Sequence, residues 1–291
     1  MSRDATPHPR TGKSSPGDGS PGDGSRRRFL IGAAGAAGAG ALGALGLLPG
    51  TASAAAVTTA AATGTLYIAS DSTAQTYNSG YYPQAGWGQK LSSFLTSNIT
   101  VANRAIGGRS SRSFIEQGRL AAIHQVIRAG DYLFVQFGHN DATVGNAERY
   151  TSPADYKEYL RNDYIRATRA LGATPVVVTP VSRRSYNAST GKFNVSFPEY
   201  VNAAKAVAQE EGAPLVDLSA ASRAYLDGIG VEASKGIFLW LNAGQYPNFP
   251  NGVQDNTHFQ ERGAVEMARL VSRAVAGLGL PLSGEVVPGV R

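Results

Sequence analysis

Five residues that are widely spaced along the chain have the types that a serine acyl-transfer site requires. Ser72 carries a hydroxyl that can attack a carbonyl carbon, and His258 is a base that can take its proton. Asp255, three residues before His258, would hold the imidazole in one tautomer and stabilise its protonated form. The amide of Asn140 and the backbone N–H groups of Gly108 and Ser72 are candidate donors to an oxyanion. These residue types predict acyl transfer with Ser72, Asp255 and His258 as catalytic residues.

Each of these residues also has an ordinary structural explanation. Ser72 follows a short apolar run and could be only a helix cap. The Gly107-Gly108 pair could be a simple turn, and Asn140 could belong to an Asx turn. The catalytic interpretation therefore depends on whether the fold brings these segments together.

Alternating apolar and amphipathic segments predict the fold. Five short apolar runs have the length of β-strands, and the stretches between them have helical spacing. The predicted strands are 65–69, 99–102, 131–137, 174–179 and 214–218, and the predicted helices are 87–95, 114–128, 153–171, 197–211, 219–225 and 259–276. This alternation predicts an α/β fold with a five-stranded parallel sheet covered by helices on both faces.

The candidate residues follow the predicted strands. Ser72, Gly108 and Asn140 come after the first, second and third strands. Asp255 and His258 precede the last helix. Because ligands of open parallel sheets bind beyond the carboxyl ends of the strands, we expect all five residues at one edge of the sheet.

The residues around His258 have the spacing of a capping box. Thr257 and Gln260 match its Ser/Thr-x-x-Glu/Gln form, which predicts that His258 is the first residue of the last helix. The positive end of that helix would disfavour the imidazolium, whereas Asp255 would favour it. We expect the two effects to cancel in part and to leave a base that works near neutral pH.

The first 54 residues resemble a leader. Residues 1–24 are rich in Pro, Gly and Ser and predict disorder. The segment Arg26-Arg27-Arg28-Phe29-Leu30, an Ala/Gly/Leu run and the small residues Ala52-Ser53-Ala54 follow, which predicts a twin-arginine signal peptide and secretion. A retained membrane anchor is the alternative, but the run is only weakly hydrophobic. We expect a linker at 55–63 and the hydrolase domain at 64–291.

Composition excludes several other classes of protein. The chain has 291 residues and a net charge of +6, of which about half belongs to the leader, so no concentrated basic face for nucleic acid is expected. It has no cysteine, and no pair of its four histidines has a metal-ligand spacing. We therefore expect neither nucleic acid nor, once the signal is cleaved, a membrane as partner, no metal site, and a monomer.

The four segments resemble the SGNH, or GDSL-type, hydrolases, which are named for Ser, Gly, Asn and His in four sequence blocks. Ser72, Gly108, Asn140 and His258 fall on those blocks in order, and Asp255 matches the Asp-x-x-His of the last block. The resemblance covers 64–277 and implies a flavodoxin-like three-layer α/β/α sandwich with no cofactor. A Gly-x-Ser-x-Gly elbow, typical of ordinary α/β-hydrolases, does not occur.

Three segments look like one branch of these hydrolases, the rhamnogalacturonan acetylesterases. They are 108–113 (GRSSRS), 137–141 (FGHND) and 255–259 (DNTHF). The resemblance implies a secreted esterase that removes acetyl groups from the galacturonate residues of pectic rhamnogalacturonan. The alternative is an esterase or lipase that acts on other acyl esters, such as acetyl-xylan, small esters or lipids. A third alternative is a carbohydrate-binding module without catalysis. It would give no reason for Ser, Gly, Asn and Asp-x-x-His to occur in this order at the ends of strands.

The first block departs from its usual Gly-Asp-Ser form, because Ser70 precedes Asp71 and Ser72. The added side chain could crowd the turn or offer a second hydroxyl, so its effect on the turn and on the rate is left open. Ser72 holds the serine position of the block and stays the predicted nucleophile.

Arginine and aromatic residues are candidates for substrate binding. Arg109 could meet a substrate carboxylate, since a guanidinium matches carboxylate geometry. Trp240 and Tyr246 could stack on sugar rings, or they could pack a long loop onto the body. Further candidates with the same chemistry are Arg112, Arg183, Arg184 and Phe249. His139 is interpreted as a structural histidine and not as a second base.

Overall fold

The computed structural model describes residues 62–290. The predicted disordered leader and signal peptide at 1–54, and all but the end of the predicted linker at 55–63, lie outside the described residues. The chain divides into two units at residue 55, and every element below belongs to the second.

Ten strands occur in the described chain. Their bounds are β1 Gly64–Ser70, β2 Gln84–Ala85, β3 Ile99–Asn103, β4 Tyr132–Gln136, β5 Thr174–Val178, β6 Tyr186–Asn187, β7 Lys192–Phe193, β8 Leu215–Val216, β9 Phe238–Leu241 and β10 Val253–Gln260. The strands β1, β3, β4, β5 and β8 correspond to the five predicted strands. The other five are short or irregular and were not predicted.

Eight α-helices occur within 62–290, between the strands and after the last of them. They are α1 Trp87–Lys90, α2 Ser111–Glu116, α3 Arg119–His124, α4 Pro153–Tyr159, α5 Ala167–Ala170, α6 Pro198–Glu210, α7 Leu218–Ala233 and α8 Glu261–Ala276. A π-helical segment, Leu160–Arg166, joins α4 to α5. The predicted helix at 153–171 is therefore one continuous helical stretch. None of the helices within 62–290 has both the length and the apolar character that a bilayer span requires.

The central sheet has the strand order β3-β1-β4-β5-β8, and all of its pairs are parallel. Numbered along the chain, these strands lie in the spatial order 2-1-3-4-5, which is the flavodoxin-like order. In the sheet, β3 lies on one side of β1 and β4 lies on the other, so the order of the strands reverses at β1. The predicted parallel five-stranded sheet is confirmed, and its switch point lies at the carboxyl end of β1.

The two faces of the sheet bury two separate hydrophobic clusters, because side chains alternate along a strand. Leu66 and Ile68 of β1 pack in one cluster with residues of α1, α7 and α8. Tyr67 and Ala69 pack in the other with residues of α2, α3, α4 and α6. The predicted three-layer α/β/α sandwich is confirmed.

Three predicted elements differ from the observed ones. The predicted helix at 114–128 is two helices, because Gly118 between them has a φ of 70°. The predicted helix at 219–225 lies within α7, which extends to Ala233 with a kink at Gly230, where φ is 81°. Trp240 lies in a strand, β9, which pairs with β10 in a three-stranded antiparallel sheet with β2, and not in a long loop.

Candidate active site

The structure brings Ser72, His258 and Asp255 into one chain of contacts. The Nε2 of His258 lies 2.9 Å from the Oγ of Ser72. On the other side of the ring, the Nδ1 of His258 lies 2.6 Å from the Oδ2 of Asp255. With Asp255 as acceptor, Nδ1 carries the proton and Nε2 is free to accept one from Ser72. This is the arrangement of a nucleophile, a base and an orienting carboxylate.

Ser72 lies in a turn directly after β1. The N–H of Ala74 donates to the carbonyl of Asp71, and the Oδ1 of Asp71 accepts from the N–H and the hydroxyl of Thr73 at 2.9 and 2.7 Å. The hydroxyl of Tyr77 donates to the carbonyl of Ser72 at 2.9 Å. No helix begins at Ser72, so the alternative interpretation as a helix cap is wrong.

His258 is held by a side-chain turn and not by a helix end. The Oδ1 of Asp255 accepts the N–H groups of Thr257 and His258 at 2.6 and 3.0 Å. These residues lie within β10, where its pairing with β9 is irregular between Gln254 and Phe259. The N-cap of α8 is Gln260. The predicted capping box at Thr257 is therefore wrong, and the proposed effect of the helix end on His258 no longer has a structural basis.

The carboxyl of Asp255 is ionised near neutral pH. Burial alone would raise the pKa of its carboxyl. The hydrogen bond and the charge of His258, with the backbone N–H groups of Thr257 and His258, outweigh this effect and lower the pKa to about 2. One Asp255 oxygen accordingly orders the loop, and the other orients the imidazole.

Gly108 and Asn140 lie in the segments that follow β3 and β4. Gly108 has a φ of 77°, and a Cβ there would lie 3.2 Å from the Nη2 of Arg149. The side-chain amide of Asn140 donates one hydrogen to the carbonyl of Arg109 at 3.0 Å, which fixes the amide plane. Its second hydrogen has no acceptor among residues 62–290 and could be donated to a ligand. The two segments that carry the predicted oxyanion donors are thus joined directly.

Asp141 also connects the segment that follows β3 with the segment that follows β4. Its Oδ1 accepts the N–H and the hydroxyl of Ser111 at 2.9 and 2.5 Å, and its Oδ2 accepts the N–H of Gly138 at 3.0 Å. Complete burial raises the pKa of Asp141 to about 6 even though these hydrogen bonds act in the opposite direction. Asp141 positions the glycine and asparagine segments relative to each other.

Ser70 is accommodated in a buried polar network. Its Oγ accepts a hydrogen bond from the Nε2 of Gln136 at 3.3 Å, and the same Nε2 donates to Thr73 at 2.7 Å. The Oε1 of Gln136 in turn accepts the indole N–H of Trp87 at 2.9 Å. Ser70 is fully buried, so its hydroxyl is not presented to a ligand in place of that of Ser72.

A cavity of about 140 Å³ opens above the candidate residues. Its lining consists of Ser72, His139, Asn140, Arg183, Phe197, Thr257 and His258. Ser72, Asn140 and His258 therefore face one space in which an acyl group could be held. Gly108 is not one of the lining residues, and its segment is joined to the cavity by the hydrogen bond from Asn140 to the carbonyl of Arg109.

His139 and Phe197 form a wall of this cavity. The His139 ring packs edge to face on Phe197 with centroids 4.9 Å apart. Its Nδ1 lies 3.6 Å from the Oδ2 of Asp71. Phe197 has a φ of 55°, a strained conformation for a residue other than glycine. Phe197 could not be identified as a site residue from the sequence, because neither its strain nor its contact with His139 is visible in local spacing.

Two of the arginines that were predicted to contact substrate, Arg112 and Arg109, have partners within the protein. Arg112 pairs with Glu116 at 2.8 Å. Arg109 donates to Gln117 and to the carbonyl of Gly107, and burial together with the nearby Arg119 and Arg149 lowers the pKa of its guanidinium. Arg149, which the sequence analysis did not single out, lies over Gly108. Arg109 stays a predicted substrate contact.

The predicted aromatic contacts lie farther from Ser72. The indole N–H of Trp240 donates to Asn256 at 2.9 Å, and the guanidinium of Arg184 lies 4.5 Å from its ring centroid. These are the contacts of a residue that packs the loop of Asp255. Tyr246 packs edge to face on the exposed Tyr82 at 5.8 Å. Neither residue lines the cavity at Ser72, and a sugar contact for either stays a prediction.

Sequence comparisons identify the family of the chain. Residues 71–271 match the family described as GDSL-like Lipase/Acylhydrolase. Probable rhamnogalacturonan acetylesterase YesY of Bacillus subtilis (strain 168) is 45% identical over 223 residues, which cover 76% of this chain and 97% of the relative. Rhamnogalacturonan acetylesterase RhgT of the same organism is 39% identical over 222 residues, which cover 76% and 94%.

Solved structures show the same fold. The crystal structure of protein YxiM from Bacillus subtilis has a TM-score of 0.65 and 32% identity, and the match covers 75% of this chain and 57% of that one. Axe2, an acetylxylan esterase from Geobacillus stearothermophilus, has a TM-score of 0.55 at 18% identity, with 76% and 97% covered. The second likeness shows the fold alone. The chain therefore belongs to the GDSL-like lipase/acylhydrolase family and is a carboxylic ester hydrolase.

Proposed function

We propose that this protein removes O-acetyl groups from pectic rhamnogalacturonan by serine acyl transfer. The observation that carries the reaction type is the chain of contacts from Asp255 through His258 to Ser72, with distances of 2.6 and 2.9 Å. The observation that supports the substrate is the similarity to YesY and RhgT, which extends over nearly their whole length.

In the first half of the reaction, the Oγ of Ser72 attacks the acetyl carbonyl carbon while the Nε2 of His258 takes its proton. The carbonyl oxygen becomes an oxyanion, which the amide of Asn140 and the N–H groups of Gly108 and Ser72 stabilise. When the intermediate collapses, the bond to the sugar oxygen breaks. His258 returns its proton to that oxygen, and the deacetylated sugar leaves.

In the second half, water releases the acetyl group from Ser72. His258 takes a proton from the water as its oxygen attacks the acetyl carbonyl, and the same donors stabilise the second oxyanion. Collapse breaks the bond to Ser72, whose oxygen takes the proton back from His258. Acetate leaves, and the free enzyme is restored. Asp255 stays ionised throughout, because it stabilises the imidazolium without taking its proton.

The substrate proposal is tested by comparing acetate release from two polymers. Purified enzyme is incubated with acetylated rhamnogalacturonan and, separately, with acetylated xylan at matched acetyl concentration. We expect a kcat/KM at least about tenfold higher on rhamnogalacturonan, which corresponds to a difference of roughly 1.4 kcal/mol between the two transition states. Equal or faster release from xylan would contradict the proposed substrate and leave the acyl-transfer chemistry intact.

We also propose that the protein is exported through a twin-arginine signal and acts outside the cell. The support is the order of the paired arginines, the weakly hydrophobic run and the small residues Ala52-Ser53-Ala54. The full chain is compared with an Arg27→Lys/Arg28→Lys double variant. We expect the first in the medium, with its amino terminus just after Ala54, and the second inside the cell. Wild-type chain of full length in the membrane fraction would instead indicate an anchor.

A further inference from the structure

A second cavity adjoins the one above Ser72. It measures about 330 Å³ and is lined by Arg183, Arg184, Ser185, Ser196, Phe197 and Asn256. Arg183 and Phe197 also line the cavity at Ser72, so the two spaces share a wall. Asn256 is the residue next to Asp255. A ligand that fills the second cavity therefore lies directly beside the position of the acyl group.

Arg184 is a fixed part of the wall of this second cavity. Its Nε donates to the hydroxyl of Ser234 at 2.9 Å, and its Nη2 donates to the carbonyl of Val231 at 2.9 Å. Its guanidinium also packs on the face of Trp240 at 4.5 Å. These partners are neutral, and no carboxylate lies within 4.0 Å of Arg184 in the described part of the chain. Arg184 contributes a positive charge to the wall, and the carboxylate of Glu232 opposes this charge through space without forming an ion pair with it.

The side chain of Arg183, unlike that of Arg184, is free to bind a ligand. Its backbone N–H donates to the hydroxyl of Ser196 at 3.0 Å, which positions the residue at the boundary of the two cavities. Its side chain is exposed, and within 62–290 its guanidinium makes neither a hydrogen bond nor an ion pair. An arginine in this state can donate two parallel hydrogen bonds to a ligand carboxylate.

The linings of both cavities contain no acidic side chain, and Asp255 lies behind His258. Two guanidinium groups thus face a concave surface whose other polar groups are hydroxyls and an amide, supplied by Ser185, Ser196 and Asn256. Hydroxyls and amides suit sugar hydroxyl groups, and a guanidinium suits a carboxylate. The combination matches a sugar acid better than a neutral sugar.

We propose that the second cavity binds a uronate residue of the polysaccharide, with its carboxylate on the guanidinium of Arg183, beside the acetyl group that Ser72 attacks. This inference rests on the proposed function, and it names the residue that selects an acidic polysaccharide over a neutral one. A neutral chain such as xylan would leave Arg183 without a partner and gain nothing from the charge of the wall.

A second cationic group could in principle serve the same role. Arg109, Arg119 and Arg149 lie close enough for their charges to interact, and the guanidinium of Arg149 covers Gly108. Arg149, however, lines neither cavity. The experiment below therefore treats Arg149 as the competing site.

The test uses one acetylated, galacturonate-containing oligosaccharide in two forms, with free carboxylates and with methyl-esterified carboxylates. Acetate release gives kcat/KM for each form, and the ratio of the two values is the readout. The wild type is compared with Arg183→Gln, Arg183→Lys and Arg149→Gln. Arg128→Gln is the matched control, because Arg128 is an exposed arginine before the amino end of β4, at the opposite edge of the sheet. The melting midpoint of each variant checks its fold.

We expect the wild type to favour the free carboxylate by about tenfold or more, and this ratio to fall as salt screens the charges. Arg183→Gln should bring the ratio close to one, mainly through KM. Arg183→Lys should give an intermediate ratio, because lysine keeps the charge and loses the planar fork. Arg149→Gln and Arg128→Gln should keep the wild-type ratio.

Three results would overturn the inference. The first is a wild-type ratio near one, and the second is a ratio that Arg149→Gln abolishes and Arg183→Gln preserves. In both cases acetate release from rhamnogalacturonan would still support the proposed function. The third is wild-type enzyme that releases acetate from xylan and none from either oligosaccharide form, which would contradict the proposed function and this inference together.

Discussion

The Nε2 of His258 lies 2.9 Å from the Oγ of Ser72, although 186 residues separate the two positions. Ser72 follows the first strand of the sheet, and His258 is carried by β10, outside the central sheet. The contact exists because the Asp255 carboxylate holds the loop of His258 over the carboxyl end of β1.

Replacing Asp255 tests this dependence. In Asp255→Asn, the amide can no longer favour the tautomer in which Nε2 is a base, and it does not stabilise the imidazolium. We expect kcat on p-nitrophenyl acetate to fall on the order of 10⁴-fold with the fold retained. Asp155→Asn is the matched control, since Asp155 is exposed and its side chain accepts a hydrogen bond from the hydroxyl of Ser152, which in turn accepts the N–H of Asp155. A loss under tenfold in Asp255→Asn would remove Asp255 from the mechanism.

Replacing Gly108 tests the oxyanion donors. A methyl group at this position would lie 3.2 Å from the Nη2 of Arg149, and the φ of 77° is strained for a residue other than glycine. We expect the backbone to relax and to move the N–H of Gly108, which is a proposed oxyanion donor. We expect Gly108→Ala to lower kcat by about 10²-fold or more. Gly118→Ala is a close control, because Gly118 has a similar φ of 70° and no atom within 4 Å of the added carbon. It should lose about 1 kcal/mol of stability and keep its activity.

If both glycine variants lost activity equally, backbone strain and not the oxyanion donor would explain the effect. Because both glycines have a similar positive φ, the comparison separates the effect of backbone strain from the effect of the position of Gly108.

The departure at Ser70 leads to a prediction about stability. Because its hydroxyl accepts from Gln136 in a buried network, Ser70→Ala should lower the free energy of unfolding by about 1 kcal/mol. Gln136 keeps its bond to Thr73 at 2.7 Å, so the turn should persist and kcat/KM should change by less than about threefold. Chemical denaturation and ester hydrolysis measure the two quantities. A large loss of activity with unchanged stability would assign the Ser70 hydroxyl to the chemistry.

Asp141 predicts a dependence of stability on pH. Its pKa is about 6 in the folded protein and 3.8 in a model peptide, so the folded state binds the proton more tightly. Its stabilising contribution is complete below about pH 4 and is lost as the pH rises through 6, and it amounts to roughly 3 kcal/mol. The free energy of unfolding of the wild type minus that of Asp141→Asn should therefore increase as the pH falls from 7 to 4. A difference that is flat or decreases would show that the carboxyl is ionised throughout.

The central sheet and the residues at its edge could be predicted from the sequence because both depend on local signals. Thr174–Val178 is a continuous apolar strand, and Ser72 and Asn140 directly follow buried strands. The position of His258 could not be predicted in the same way. Thr257 and Gln260 match a capping box, in which the side chain of Gln260 would accept the N–H of Thr257. In the structure, the side chain of Asp255 accepts that N–H instead, while its other oxygen contacts the imidazole of His258.

Other parts of the site depend on contacts between distant segments. Phe197 reaches His139 across 58 residues, and Arg149 reaches Gly108 across two helices and a strand. Neither contact leaves a periodic signal along the chain. Trp240 was predicted in a loop because glycine, asparagine and proline follow it, whereas its pairing with Gln254 places it in a strand. Such pairings are set by tertiary packing and not by local propensity.

The most direct test of the account is to trap the acyl group on Ser72. The enzyme is mixed with excess p-nitrophenyl acetate, quenched in acid within one turnover, digested and analysed by mass spectrometry. We predict one acetyl group on the peptide that contains Ser72, and a Ser72→Ala variant that folds, carries no acetyl group and loses up to ~10⁶-fold in kcat. A Ser72→Ala variant that hydrolyses the ester at the wild-type rate, or an acetyl group found on another residue, would contradict the assignment of Ser72 as the nucleophile.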